Sequence, residues 1–450
     1  MSRRPLQYQS LKTVLLHMEA NIRFQISQRI STIRKVDKIV PLKINRLDFD
    51  LYQITINDAE YKLRLHRQYS SGITPEYVNK ETELYVFDYD EFGFWIGNCD
   101  NVLLPGDVLL NYETPSELRF DDEQYETWWR RSLEVHKKAL ELRAEHESKG
   151  QTYKDYLDNV PRNPDDFDEE VRRVIHNDDE YLKEKIVDLL DALIPFDCRR
   201  NNTRPPFEYY FQLTITKGDS IKIQRYEYNK KCYEALKHLN QVLFEGRSTP
   251  IFVENFRIGN LPLYSVLRVP IGFRLRVKDL EILPDYNENL HQIVENSENL
   301  DTVRLSYYGV FDLPLAALAQ KSRKLVIHSD ELDIQDVENF IGQFQNPLLC
   351  FNIIDKTYLA EEYFEIIQFW LTENRPIGSK LYIGTNERET AEKVLQLVSH
   401  NYENAQVTER SVTVNISESK KLAIFYEPFE EKHVRNLQSQ WIIKMRTVGN

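Results

Sequence analysis

Seven times along the chain an apolar residue, one intervening residue and a second apolar residue mark the centre of a short buried strand. The pairs are Leu47/Phe49, Phe256/Ile258, Leu280/Ile282, Val303/Leu305, Leu325/Ile327, Leu349/Phe351 and Leu381/Ile383. From Phe256 onward the steps are 24, 23, 22, 24 and 32 residues, the first four within the range of roughly 20–29 residues of leucine-rich repeats. Ile44, Val253, Val277 and Leu300 stand three residues ahead of their pairs and complete L-x-x-L-x-L. A strand–helix unit of this length cannot bury its own apolar face and must stack on its neighbours. The pattern therefore predicts an α+β or α/β chain with a leucine-rich-repeat-like ladder, Leu47/Phe49 forming its first rung. The 32-residue step and the missing Asn positions of a standard repeat make the array irregular.

Around the ladder the period changes. Residues 5–40 read as helix, with Leu11, Val14, Leu15 and Met18 on one stripe, Ser10 as N-cap and Ile22, Ile26, Ile30 and Ile33 continuing to Pro41. Tyr52/Ile54/Ile56 and Tyr61/Leu63/Leu65 alternate about Asn57-Asp58, and Tyr85/Phe87 and Phe94/Ile96 repeat the design, so residues 42–110 read as hairpins. From Thr114-Pro115 the charge density rises: a polar helix over Glu123–Gly150, breaks at Pro161 and Pro164, then one or two acidic helices from Asp165 to Pro195. This reads as an inserted helical arm or as a flexible linker with helical segments, a charge run of this kind being more often a solvated spacer. Phe211/Leu213/Ile215 and Ile221/Ile223 form a hairpin, Tyr226–Phe244 a helix ended by Gly246, and Val412/Val414/Ile416 with Leu422/Ile424/Tyr426 a closing hairpin. Helices between rungs are marked by Leu290/Ile293/Val294, Leu315/Leu318, Val337/Phe340/Ile341 and Ile366/Ile367/Trp370/Leu371. The implied division is 1–45 helical module, 46–113 hairpins, 114–200 charged helical insertion or linker, 201–250 hairpin plus helix and 251–450 ladder.

Composition narrows the function. The 450 residues are 41% hydrophobic and 12% aromatic, enough for a sizeable interior, and carry a net charge of −13. That balance disfavours nucleic acid and anionic membrane, which need a dominant basic face. Cys99, Cys198, Cys232 and Cys350 lie far apart without a C-x-x-C and read as reduced thiols. No apolar run follows the basic start and none approaches membrane-spanning length, so the expected location is cytoplasmic or nuclear and soluble, and the sequons at Asn201 and Asn415 carry no expectation of glycosylation.

The catalytic search is empty of phosphate loops, dinucleotide fingerprints, nucleophile elbows and zinc-helix motifs. The expectation is therefore no enzyme, no cofactor, no metal and no catalytic residue. Arg29, Arg34, Lys35, Lys38, Lys43 and Arg46 read as the wet face of a helical segment. Trp128 and Trp129 point about 100° apart on a helix and cannot share one core; the readings are that one is an exposed anchor for a partner or a neighbouring domain, or, the favoured one, that both pack within the chain.

Two groups of residues resemble known families. Leu11, Val14-Leu15, Met18, Arg23, Ile26-Ser27, Arg29, Ile33 and Asp37 resemble a diverged F-box, the helical module that docks on the Skp1 adaptor of cullin–RING ubiquitin ligases. Ile54-Thr-Ile-Asn-Asp-Ala-Glu-Tyr61-Lys-Leu, Tyr228-Asn-Lys-Lys-Cys-Tyr-Glu-Ala-Leu-Lys-His-Leu239, Phe244-Glu-Gly-Arg247 and Trp370-Leu-Thr-Glu-Asn-Arg-Pro-Ile-Gly378 resemble a nematode-expanded F-box-associated family with a domain of unknown function. The resemblance implies a non-enzymatic interaction protein: a substrate-recognition adaptor with Leu11, Val14, Leu15, Met18 and Ile26 toward a Skp1-like protein and the ladder toward an unknown substrate. The alternatives are an enzyme with an unrecognised carboxylate site and a structural scaffold unrelated to ubiquitin.

Overall fold

All seven apolar pairs lie in strands that stand side by side in one sheet. The computed structural model of the chain describes residues 7–69, 87–96, 102–110, 123–149, 167–259, 266–282, 289–295, 300–306, 318–329, 332–353, 358–429 and 439–449. In chain order the elements are α1 (Tyr8–His17), α2 (Ala20–Arg29), α3 (Ser31–Ile39), β1 (Lys43–Asp50), β2 (Gln53–Ile56), β3 (Ala59–Tyr69) and β4 (Val108–Leu109). The arm follows as α4 (Glu123–Ser148), α5 (Phe167–Val174) and α6 (Asp179–Asn201). Next come β5 (Phe207–Lys217), β6 (Ser220–Glu227), α7 (Cys232–Phe244), β7 (Ile251–Ile258), β8 (Val266–Leu267), β9 (Leu275–Ile282), β10 (Thr302–Ser306) and β11 (Lys324–Ser329). The chain continues with α8 (Ile334–Gln343), β12 (Leu348–Ile353), α9 (Ala360–Thr372), β13 (Lys380–Thr385), α10 (Arg388–Asn401), β14 (Gln406–Val407), β15 (Ser411–Ser417), β16 (Lys420–Pro428) and β17 (Trp441–Gly449).

Among the described residues, one sheet of fifteen strands runs in the order β14-β15-β16-β17-β13-β12-β11-β10-β9-β7-β1-β2-β3-β5-β6. Its centre, from β13 to β1, is parallel, and both flanks are antiparallel. The fold is mixed α/β, with the arm inserted between β4 and β5. The pairs are in register across the whole parallel section. Leu47 faces Phe256, which faces Leu280, then Val303, Leu325, Leu349 and Leu381. The second members line up the same way, from Phe49 through Ile258, Ile282, Leu305, Ile327 and Phe351 to Ile383. None of the fourteen is more than 3% exposed. Burying each contributes roughly 1.5–3 kcal/mol, and a one-residue slip would turn the whole row to the wrong face. The first rung, β1, is placed beside β7 although the hairpins and the arm separate them in sequence.

The helices cover the face that the pairs fill. Ala20 and Phe24 of α2, Leu243 and Phe244 of α7, Val337, Phe340 and Ile341 of α8, Ile366, Ile367 and Trp370 of α9 and Val394 and Val398 of α10 join them in one apolar cluster. No described helix is long and apolar enough to cross a membrane.

Several boundaries differ from the sequence expectation. The segment 5–40 is three helices, and Ser10 lies inside α1, whose N-cap is Gln7. The chain turns extended at Met18, and Glu19 caps α2 by accepting the Ile22 N–H at 3.2 Å while also holding Asn57 at 2.6 Å. Tyr226 belongs to β6 opposite Phe211. Helix α7 starts only at Cys232, where the Asp88 carboxylate accepts the Cys232 N–H at 2.9 Å and Glu234 accepts that of Lys231 at 2.8 Å. Pro195 does not end its helix, because α6 runs to Asn201. Leu189, Leu193 and Phe196 pack on Phe94 and Leu133, which offsets the one hydrogen bond proline removes. The segment at Leu290 is a single 3-10 turn, Leu290–Gln292. Helix α10 and strand β17 add to the elements expected from sequence, and β17 inserts between β16 and β13. Thr114-Pro115, Pro161, Pro164, Tyr85, Cys99 and Leu315 lie outside the described residues.

The two tryptophans separate as their angle requires. Trp129 packs on Tyr125 and Phe196, with ring centroids at 6.0 and 5.6 Å, whereas Trp128 is 61% exposed. Trp128→Ser is therefore expected to change the unfolding free energy by no more than about 0.5 kcal/mol. Urea denaturation would show a clear loss if Trp128 were part of the arm's packing.

Candidate functional site

The motif residues that carry the family resemblance turn out to hold the scaffold together. Arg23 of α2 and Asp37 of α3 form a buried ion pair at 2.6 Å, and Arg247, after α7, reaches the other oxygen of Asp37 at 3.1 Å. The Arg23 fork also donates to the backbone oxygens of Pro41, Val40 and Asp37 at 2.7, 2.9 and 3.1 Å. Burial pulls Arg247 down to about 10, against the pull of Asp37 in the other direction, and burial pulls the neighbouring Lys38 down to about 8. A second group has the same design. Lys237 and Arg268 share Asp107, at 2.5 and 2.7 Å, and all three side chains are buried. In the third, Arg375 donates to the Phe344 oxygen at 2.7 Å and to Ile341, satisfying carbonyls at the end of α8, and stacks on Trp370 at 4.9 Å. Asn374 and Gly378 turn the chain there at positive φ.

The residues named for partner docking are split by this anchoring. Leu15 is 1% exposed, while Leu11, Met18 and Ile26 are half-buried. Val14 is 42% exposed, and Leu16, Ile22, Ile30 and Ile39 join it at 37, 44, 46 and 49%. The apolar surface of the helical module is thus a different set from the five residues named for docking, sharing only Val14. Of the basic run, Arg29, Arg34, Lys35, Lys43 and Arg46 are exposed.

The face of the ladder opposite the helices carries the residues between the pair members. Read across the sheet they are Asp48, Arg257, Glu281, Arg304, Val326, Cys350, Tyr382 and Lys444. From β1 to β10 the row alternates acid and base. Asp48 is bound by Arg46 at 2.8 Å, and Arg257 lies 3.4 Å from Glu281. From β11 onward it is apolar: Val326 and Cys350 are fully buried and cluster with Tyr382 and Phe429. Lys444 lies 4.8 Å over the Tyr382 ring and pairs with Glu427. One step along, His328 and Asn352 meet at 2.8 Å. Burial, with Arg304 nearby, pushes His328 down to about 4, and burial pushes the Cys350 thiol up to about 12. At Arg304, the junction of the charged and apolar halves, and at Asp279 and Arg257 on the strands before it, Arg304 Nε, Asp279 Oδ1 and Arg257 Nε are buried without a hydrogen-bond partner. A buried unmade hydrogen bond of this kind costs about 1–3 kcal/mol.

Among the described residues no group of three or more His, Cys, Asp or Glu is arranged to hold a metal ion. Residues 231–387 match the model of a domain of unknown function, DUF3557. The match begins at the N-cap of α7 and takes in β7, β9, β10, β11, β12 and β13, six of the seven rungs; β1 lies outside it. No curated protein and no solved structure matches the chain.

Proposed function

We propose that the chain is a non-enzymatic interaction protein in which the charged half of the ladder face opposite the helices receives a protein ligand and the helical module docks a Skp1-like adaptor. In this reading it is a substrate-recognition component related to the nematode-expanded F-box-associated proteins. The observation that carries it is the row of alternating charge on the face opposite the described helices, Asp48, Arg257, Glu281 and Arg304, in which the Arg257 and Glu281 side chains are 39 and 37% exposed. Groups of both signs on one sheet face suit a ligand of complementary charge pattern, which gives the contact its specificity. The helical module supports the second half. Its buried side is held to the body by Arg23, Asp37 and Arg247, while Val14, Leu16, Ile22, Ile30 and Ile39 face outward.

The test is co-purification of the full chain with Skp1, followed by mass spectrometry of what the ladder retains. Val14→Asp combined with Leu16→Asp is expected to abolish Skp1 capture with an unchanged circular-dichroism melt. Arg304→Gln is expected to weaken the ladder ligand at least tenfold and leave Skp1 capture intact. No association of the wild-type chain with Skp1 at micromolar concentration would remove the adaptor half of the proposal.

A further inference from the structure

Among the described residues, no strand pairs with the outer edge of β6 in the β5–β6 hairpin. Among the described residues, β14 closes one side of the sheet with two residues, and β6 closes the other with eight. A free edge presents a row of N–H and C=O groups that templates another strand, and proteins ordinarily shorten, charge or cover it. Strand β6 is charged at Lys222, Arg225 and Glu227 but is long, and it also carries Ile221 at 65%, Ile223 at 54% and Tyr226 at 52% exposure. Lys217 faces Ser220 across the two-residue turn at Gly218-Asp219, and such a closing pair exchanges hydrogen bonds. The alternation of an antiparallel ladder then points the N–H and C=O of Ile221, Ile223, Arg225 and Glu227 away from β5.

We propose that β6 pairs antiparallel with β6 of a second copy of this chain, about a two-fold axis at Ile223. Outward groups must meet outward groups, so only registers that set odd-numbered residues opposite one another can form. Centring on Lys222 or Arg225 opposes like charges, which destabilises a strand pair. Centring on Gln224 sets Ile221 against Glu227 and Ile223 against Arg225. Centring on Ile223 sets Ile223 on its own copy, Ile221 beside the Arg225 stem, Lys222 opposite Gln224 and Ser220 opposite Tyr226. Axes at Ile221 or Tyr226 pair only three residues of β6 with their copies, whereas the Ile223 register pairs seven, places apolar on apolar at the axis and opposes no two charges. Head-to-tail addition is barred by the two residues of β14, so the contact closes on itself as a dimer.

Sedimentation equilibrium of the full chain at micromolar concentrations is expected to give a mass approaching twice 53.6 kDa. Ile223→Pro removes an outward N–H and leaves the β5 pairing intact, and should return the monomer mass with unchanged circular dichroism. Ile223→Lys, which places like charges on the axis, should do the same and guards against a folding defect in the proline variant. In a Cys99→Ser background, Ile223→Cys should oxidise to a covalent dimer, because directly opposed Cα atoms lie about 5.5 Å apart, within disulfide reach. A monomeric wild-type chain throughout the range, or a dimer indifferent to both Ile223 variants, would overturn the proposal. Cross-linking through Gln224→Cys in place of Ile223→Cys would overturn the axis.

Discussion

Asp37→Ala is expected to lower the unfolding free energy by about 3–5 kcal/mol in urea denaturation, the cost of breaking a buried pair by removing one partner. Asp37 is 0% and Arg23 1% exposed, and the Arg247 side chain is almost as deeply placed. Removing the carboxylate leaves two guanidiniums in one buried site with only backbone oxygens for partners. The damage would spread along the chain, because the group joins α2, α3, the approach to β1 and the turn before β7. Arg247→Met is expected to cost less, because Asp37 keeps Arg23 at 2.6 Å. A loss below about 1 kcal/mol for Asp37→Ala would mean that water reaches the site.

The contrast between what was legible and what was not follows from the range of the forces involved. The ladder could be read because each rung repeats one local demand: two side chains, one residue apart, on a doubly flanked parallel strand. Even β1 was placed correctly by that pattern, although Phe49 meets Ile258 from the far side of the arm. The hairpin turn at Asn57 was legible for a similar reason, because φ of +56° suits asparagine. Strand β17 was missed because Ile442, Ile443, Lys444 and Met445 are all buried, so the period of two is erased. Helix α10 had a readable stripe in Ala391, Val394, Leu395 and Val398.

The ion groups could not be read at all, since no local rule ties Asp37 to Arg247 or Asp107 to Arg268. They explain why the recognisable motifs said so little about chemistry. Arg23, Asp37, Lys237, Arg247 and Arg375, all within quoted motifs, are committed to buried partners. The residues of the open face, Arg257, Glu281, Arg304 and Tyr382, fall between the pair members and outside those motifs. Scaffold and surface therefore occupy alternate positions of the same strands, and only the register of the assembled sheet shows which residues share a face. The docking stripe illustrates the same limit. Leu15 and Val14 are neighbours in the periodicity, yet packing against the rest of the module sends one inward and leaves the other in solvent.

Acidification should expose the cost of placing His328 on that face. Its folded pKa is lowered by burial first and by Arg304 second, to about 4 against the ordinary 6.5, and its ring meets Asn352 at 2.8 Å. The unfolded chain therefore takes up the proton first as pH falls, and the native state loses stability between about pH 6.5 and pH 4. A separation of that size corresponds to about 3 kcal/mol, present in full above the unfolded pKa and gone below the folded one. Carboxylates titrate in the same window, so the quantity to measure is the difference between wild type and His328→Gln, which retains a polar partner for Asn352 but has no proton to gain. Wild type should lose about 3 kcal/mol more than the variant between pH 7 and pH 4 in urea titrations. Parallel curves would mean that His328 is protonated in the folded chain, and hence that water reaches the junction where Arg304 lies.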